Sequence, residues 1–290
     1  MSMLKDAPEA EVQRLLNLFP MKILKAHWPE HKSLNKDELC AAVAKQRNVG
    51  SITEFLTEHV SCCRQHVYIC KTGIPHSSAP SLQFPSGARI WEDDSQKDER
   101  QSLHLIRVGF KVSLVDPPAE DVLYFLWPIW LTWRKDYLIL RCVTLEPKVK
   151  AHFEGRDAIE RSRSCDEPEV LKTIAKELDK PIRTTDLHKG AKKLWATDFM
   201  DAVRVKYKKA HSTATEVMDE KKGIKKSDPD LYAALQKEVL INVLFELPEQ
   251  EKFSVSAVII EPPEGHLVFP RFSDNPGDTD HVVREILRFN

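Results

Sequence analysis

Side chains of metal-binding type cluster near residue 60. They are His59, Cys63, His66 and Cys70, at successive spacings of 4, 3 and 4 residues. This spacing puts all of them on one face of a helix, and imidazole and thiolate are ligands that zinc prefers. Eleven residues of helix, however, rise about 16 Å, whereas the ligands of one ion all lie about 2 Å from it. The row also continues an apolar stripe, and Val67–Ile69 indicates a change to strand, so we interpret the row as a core face.

An acid-x-Lys triplet, Glu146-Pro147-Lys148, follows the predicted strand Tyr137–Leu145. It resembles the triplet of metal-dependent nucleases of the PD-(D/E)xK type, which place it on a strand beside another strand that carries an Asp. The resemblance implies that Glu146 and the Asp hold Mg²⁺ while Lys148 helps to activate water. Asp136 lies about 30 Å away along a nine-residue strand, so Asp116 or Asp121 would have to supply the second acid. Pro147 also departs from the pattern, and a strand end with ordinary surface charges is the alternative interpretation.

A basic segment, residues 180–209, holds nine Lys or Arg against three Asp. Its candidate binding cations are Lys189, Lys192, Lys193, Arg204, Lys206, Lys208 and Lys209. We predict a helix over about 187–209, since four of these cations then fall within about 100° of arc on a helical wheel. An apolar stripe beside them would dock the helix on the protein. The pattern predicts a surface that binds phosphates, because each neutralised phosphate releases counterions.

Two alternatives to this basic helix remain open. The period-2 alternation of Val203–Lys208 is also typical of a short strand. Residues 228–290 hold five basic residues against twelve acidic ones, so they can fold against the basic segment and neutralise it. An acidic region of this kind is equally available to a basic protein partner.

Composition limits the class of protein. The chain has 290 residues, 42% hydrophobic and 30% charged, as globular proteins do. Its longest apolar run is too short to span a bilayer, so we expect no membrane association. Six dispersed cysteines and no apolar leader favour a reducing compartment, the cytoplasm or, in a eukaryote, the nucleus. With nine glycines there is no phosphate-binding loop and no nucleophile elbow, so we expect no cofactor.

The first 72 residues predict four short helices. Asn35 is the expected cap of the third, and Ser51 with Glu54 the expected capping box of the fourth. Residues 73–101 are rich in proline, serine and charge without periodicity, and we interpret them as a linker or mobile loop.

Residues 102–290 predict an α+β domain. Alternation from Ile106 to Leu114, an apolar run over Val122–Trp133 and the strand Tyr137–Leu145 indicate an antiparallel meander with a buried middle strand. Helices follow, and then Phe253–Ile260 and His266–Phe272 are expected to pair as strands. The predicted fold is therefore α+β: a small helical bundle (1–72), a linker, and a larger domain with a β-meander and packed helices.

These features favour binding over catalysis. We expect a non-enzymatic protein that contacts nucleic acid through the basic segment, or that serves as a scaffolding subunit of a larger assembly. Protein partners would use the helical front end or the acidic C-terminal region. The alternatives are the metal-dependent nuclease described above and a pure protein adaptor.

Overall fold

The computed structural model describes residues 2–96, 98–115, 118–154, 158–197, 199–218, 222–247 and 254–290. Contacts divide the chain into two compact units, and neither is continuous in sequence. Unit 1 comprises Met1–Cys63 and Thr72–Ile182, and unit 2 comprises Arg64–Lys71 and Arg183–Asn290. The units therefore do not follow the predicted boundaries at 72 and 102.

The described residues form helices and an extensive antiparallel sheet, which confirms the α+β class. The helices are α1 (Ser2–Asp6), α2 (Glu9–Leu16), α3 (Met21–His27), α4 (Lys36–Gln46), α5 (Val49–His59), α6 (Glu146–His152), α7 (Glu167–Glu177), α8 (His188–Ala196), α9 (Ile224–Ser227), α10 (Pro229–Leu235) and α11 (Pro276–Phe289). The strands are β1 (Gln65–Lys71), β2 (Gly87–Asp93), β3 (Glu99–Leu114), β4 (Ala119–Arg134), β5 (Tyr137–Val143), β6 (Ala158–Arg163), β7 (Arg183–Thr184), β8 (Asp201–Lys208), β9 (Thr213–Val217), β10 (Val239–Glu246), β11 (Ala257–Glu261) and β12 (His266–Phe269).

Local capping signals set the starts of two helices in unit 1. Asn35 caps α4, and Glu38 completes the capping box, as predicted for the cap. The predicted capping box at Ser51 is wrong, because α5 begins at Val49 and its cap is Asn48, whose side chain accepts a hydrogen bond from the Ser51 amide. An Asn three residues upstream competes for the same amide and extends the helix.

A long hairpin forms the centre of the unit 1 sheet. Strands β3 and β4 pair over 16 residues each, β5 pairs with β4, and β2 and β6 both pair with β3. This confirms the predicted antiparallel meander. The predicted burial of the middle strand holds for 125–133, where every side chain except that of Trp130 is buried, but not for Val122 and Tyr124, which are exposed. Glu11 of α2 accepts hydrogen bonds from Arg107 of β3 and joins the helices to the sheet.

Residues 73–101, predicted to be a linker or mobile loop, contribute to unit 1. They contain β2 and the first residues of β3, so the prediction is wrong for Gly87–Asp93. Ala79, Leu82 and Phe84 are also buried. The prolines removed the periodicity on which the sequence interpretation relied, but the isolated apolar side chains between them still pack.

Unit 2 contains an antiparallel sheet whose six main strands have the order β1-β12-β11-β10-β8-β9, and the two-residue strand β7 also pairs with β1. The predicted pairing of the last two strands is confirmed by β11 and β12, which are joined by a turn with Gly265 at φ 59°; Phe253 lies outside the described residues. One face of the sheet is buried, and the α8 side chain Trp195 packs against Phe245 of β10 on that face, with ring centroids 5.8 Å apart. Helix α11 packs on α8.

Among the helices of the described residues, none has both the length and the apolar character to cross a bilayer.

Candidate functional site

The basic segment is a short helix followed by a strand. The predicted helix over 187–209 is wrong, because α8 ends at Ala196 and β8 begins at Asp201. β-Branched and aromatic residues alternate with cations here and favour the strand that the sequence left open. Val205 and Tyr207 are buried on the helix-covered face, so Arg204, Lys206 and Lys208 point to the opposite face.

That opposite face is partly exposed to solvent across six strands, and we call it the open face. Its residues form two rows of cross-strand neighbours, with Lys206 in the first row and Arg204 in the second. The first row is Thr215, Lys206, Asn242, Glu261, His266 and Tyr68. The second row is Val217, Arg204, Leu244, Ile259, Val268 and His66. All of these side chains are half-buried or exposed except His266, which is 8% exposed.

A hydrogen-bonded chain crosses the middle of the open face. Asn242 Nδ2 donates to Glu261 Oε1 at 2.8 Å, and Glu261 Oε2 lies 2.8 Å from His266 Nδ1. His266 Nε2 is in turn 3.0 Å from His66 Nδ1. The ring of Tyr68 stacks on His266 with centroids 4.4 Å apart and planes 12° apart. We call this the Glu–His–His network.

The charge of Glu261 determines the direction of this network. Burial acts to raise the pKa of Glu261, but hydrogen bonds from His266 and Asn242 outweigh it and hold the pKa below its usual value. The ionised carboxylate accepts from His266 Nδ1, so in a neutral ring Nε2 accepts from His66 Nδ1. The hydrogen bonds therefore fix the orientations of four side chains on the open face: Asn242, Glu261, His266 and His66.

The cations of the open face are not neutralised within the described residues. There, Arg204, Lys206 and Lys208 have no carboxylate oxygen within 4.0 Å; the same holds for Lys193 of α8 and for Lys209, which follows β8. The acidic residues 228–290 thus form no described ion pair with them.

The lysines of α8 lie in the helical layer and not on the open face. Lys192 Nζ donates to the main-chain oxygen of Glu238 at 2.7 Å, and burial lowers its pKa although Glu238 opposes the shift. Lys189 Nζ donates to the main-chain oxygen of Asn290 at 3.4 Å, and Lys193 is exposed. The predicted single basic surface is therefore divided between the two sides of the sheet.

The predicted Cys/His row does not lie on one face of a helix. Helix α5 ends at His59 and β1 begins at Gln65, so the predicted change to strand is confirmed. Burial raises the pKa of Cys63 far above its usual value and that of Cys70 to about 12, so both remain neutral thiols. His66 belongs to the Glu–His–His network, and His59 lies instead beside His27 and Glu58.

The acid-x-Lys triplet is in the first turn of α6 and not on a strand. Glu146 Oε1 accepts from Arg163 Nη1 at 2.9 Å. Lys148 lies near Lys36, whose pKa is lowered to about 8 by burial first and by Lys148 second. Proline is favoured in the first turn of a helix, which explains the difference. Asp116 lies outside the described residues.

Sequence reasoning missed the residues that surround His66 in the Glu–His–His network: Tyr68, Asn242, Glu261 and His266. Glu261 and His266 flank the predicted β11–β12 turn, so the register of that hairpin carried a signal for this pair. Tyr68 and Asn242 come from strands distant in sequence, and only the folded sheet brings them together.

Searches with the sequence find no matching protein family and no curated protein with significant similarity.

Proposed function

We propose that this chain is a non-enzymatic protein that binds nucleic acid on the open face of unit 2. The observation that carries the proposal is the alternation of Arg204, Lys206 and Lys208 on the solvent side of β8, without a described carboxylate partner. Alternate residues of a strand are about 6.7 Å apart, so the three cations form a straight positive track. Such a track favours an extended polyanion over a compact anion.

The remainder of the open face supports contacts with both the backbone and the bases. Thr213 and Thr215 lie opposite Lys208 and Lys206, and their hydroxyls can donate to phosphate oxygens. At the far end of the rows, the half-buried rings of His66 and Tyr68 stack on His266 and form an aromatic cluster that bases could pack against. Stacking on side chains is available only to unpaired bases, so we expect single strands to bind more tightly than duplexes.

A matched pair of double variants tests the proposal. Lys206→Gln with Lys208→Gln removes two open-face charges, and Lys189→Gln with Lys193→Gln removes two charges from the helical layer. Binding of single-stranded and duplex oligonucleotides is measured between 50 and 200 mM salt, the range over which phosphate contacts weaken strongly. For single strands we expect the open-face pair to reduce the slope of log K against log salt by about 1.4 and the helical pair to leave it unchanged.

Equal losses in both double variants would contradict the assignment to the open face. An absence of binding at 50 mM salt would contradict nucleic-acid binding altogether and favour the protein adaptor. Mg²⁺-dependent cleavage that disappears in Glu146→Ala would instead favour the nuclease.

We also propose that the protein works in a reducing compartment, the cytoplasm or nucleus, as a subunit of a larger assembly. All six cysteines are free thiols in the structure, which supports the first part. The acidic composition of residues 228–290 supports a basic protein partner.

A further inference from the structure

Three potential metal ligands converge at the C-terminal ends of two helices in unit 1. His27 is the last residue of α3, and Glu58 and His59 end α5. One ligand atom from each lies within 4.8 Å of the other two. Glu58 Oε2 is 3.9 Å from His27 Nδ1 and 3.5 Å from His59 Nε2, so one carboxylate oxygen lies between two imidazoles.

The two Glu58–imidazole separations, 3.9 and 3.5 Å, are close to those of a tetrahedral zinc site, and all three ligand atoms lie within 4.8 Å of one another. Zinc bonds of 2.0–2.1 Å require ligand atoms about 3.4 Å apart. Glu58 has a side chain 54% exposed, so it can adjust its position around an ion, and the two imidazole nitrogens need to approach each other by up to about 1.4 Å. Its exposure also leaves one side of the cluster open to water.

Aromatic packing orients both imidazoles. Phe55 is fully buried, and its ring centroid is 5.1 Å from that of His27 and 5.1 Å from that of His59. Trp28 packs edge-on against His27 and donates from Nε1 to Ser51 Oγ. Because the two imidazole rings are already oriented, fewer side chains lose conformational freedom when an ion binds.

The helix ends favour a cation at this position. The C-terminal end of a helix carries partial negative charge, and both histidines lie at such ends. From this geometry we infer that His27, Glu58 and His59 bind a divalent ion of the zinc class, with water in the fourth position. Two imidazoles and one carboxylate are a ligand set suited to zinc and poorly suited to magnesium or calcium.

The second ring nitrogen of His59 limits the affinity for zinc. His59 Nδ1 is buried and has no hydrogen-bond partner in the part of the chain that is described. Zinc-bound histidines usually donate this second N–H to an acceptor, and loss of the acceptor typically costs 10–100-fold in affinity. We therefore expect this site to bind more weakly than a zinc site with a complete second shell.

Cobalt binding to the full-length protein tests the inference. After treatment with a chelator, the protein is titrated with Co²⁺ at pH 7.5, and visible absorption is recorded for the bands of four-coordinate cobalt. We expect one equivalent to bind and Zn²⁺ to displace it. Glu58→Gln should weaken cobalt binding at least tenfold, and because this side chain is exposed the variant should keep the fold. His27→Asn should do the same, with circular dichroism as the check on folding.

Matched controls are Glu54→Gln, also on α5, and His31→Asn, near the end of α3; both should bind cobalt like the wild type. The inference is wrong if no four-coordinate bands appear, or if Glu58→Gln binds cobalt as tightly as the wild type. In either case the cluster is a set of side-chain contacts that binds no ion. The result is independent of nucleic-acid binding, which is measured on unit 2.

Discussion

His104 illustrates how burial of a single residue changes the chemistry of a side chain. It lies on β3 with 2% of its surface exposed, and Nε2 is 3.0 Å from Ser102 Oγ. Burial lowers its pKa to about 4; Arg89 adds to the shift and Glu92 opposes it. At neutral pH the imidazole of His104 is therefore uncharged in both the folded and the unfolded protein. At lower pH it becomes protonated in the unfolded protein first.

This difference predicts a pH dependence of stability. In the unfolded chain His104 has a pKa near 6.5, so between pH 6.5 and 4 the unfolded state takes up a proton that the folded state does not. The contribution of His104 to the free energy of unfolding is therefore fully present above pH 6.5. It decreases by about 3 kcal/mol as the pH falls towards 4. Urea unfolding of the wild type and of His104→Gln at pH 7.5 and 4.5 measures it. The wild type should lose more stability than the variant; an equal loss in both would show that His104 does not contribute.

At the scale of elements, helices α8 and α11 approach so closely that a side chain is excluded. A β-carbon on Gly190 of α8 would lie 2.5 Å from the main-chain oxygen of Ile286 in α11. Ile286 is itself fully buried. Because main-chain atoms cannot move aside as a flexible side chain can, any substitution here must separate the helices.

Gly190→Ala should therefore destabilise the protein by about 2 kcal/mol, the usual cost of overpacking. Gly50→Ala is the control, because Gly50 lies in α5 and its nearest neighbour to an added β-carbon is 3.5 Å away. In a helix alanine is favoured over glycine by up to about 1 kcal/mol, so the control should be neutral or stabilising. Chemical denaturation compares the two, and a Gly190→Ala protein as stable as the wild type would contradict the close packing.

Elements determined by neighbouring residues could be predicted from the sequence, and others could not. The Asn35 cap and the β3–β4–β5 meander depend on local caps, turns and alternation, and both predictions are confirmed. The helix predicted for the basic segment was wrong, because cation spacing on a helical wheel is compatible with more than one structure. The β-branched and aromatic residues of β8 favour a strand instead. The open face could not be predicted, because its rows depend on the register of six strands from distant parts of the chain.

At the scale of the whole molecule, both units are assembled from separated segments. Strand β1 pairs with β12 and β7, so residues 65–71 complete the unit 2 sheet although they lie far from its other strands in sequence. A boundary after residue 72 therefore removes a strand from unit 2. Local sequence patterns did not reveal this, because long-range pairing leaves no signal in the segment itself.

Two fragments test this arrangement. Residues 102–290 alone lack β1 and β2, and we expect them not to unfold cooperatively, because unpaired strand edges and apolar surface are left exposed. Lys71 lies directly opposite Arg183 in the β1–β7 ladder, so an Asn-Gly turn can join 64–71 to 183–290. We expect this joined chain to unfold cooperatively in urea, followed by circular dichroism. If residues 102–290 fold and the joined chain does not, the predicted division at residue 102 is the correct one and β1 is dispensable. The opposite result would show that β1 is needed to complete the sheet that carries the open face.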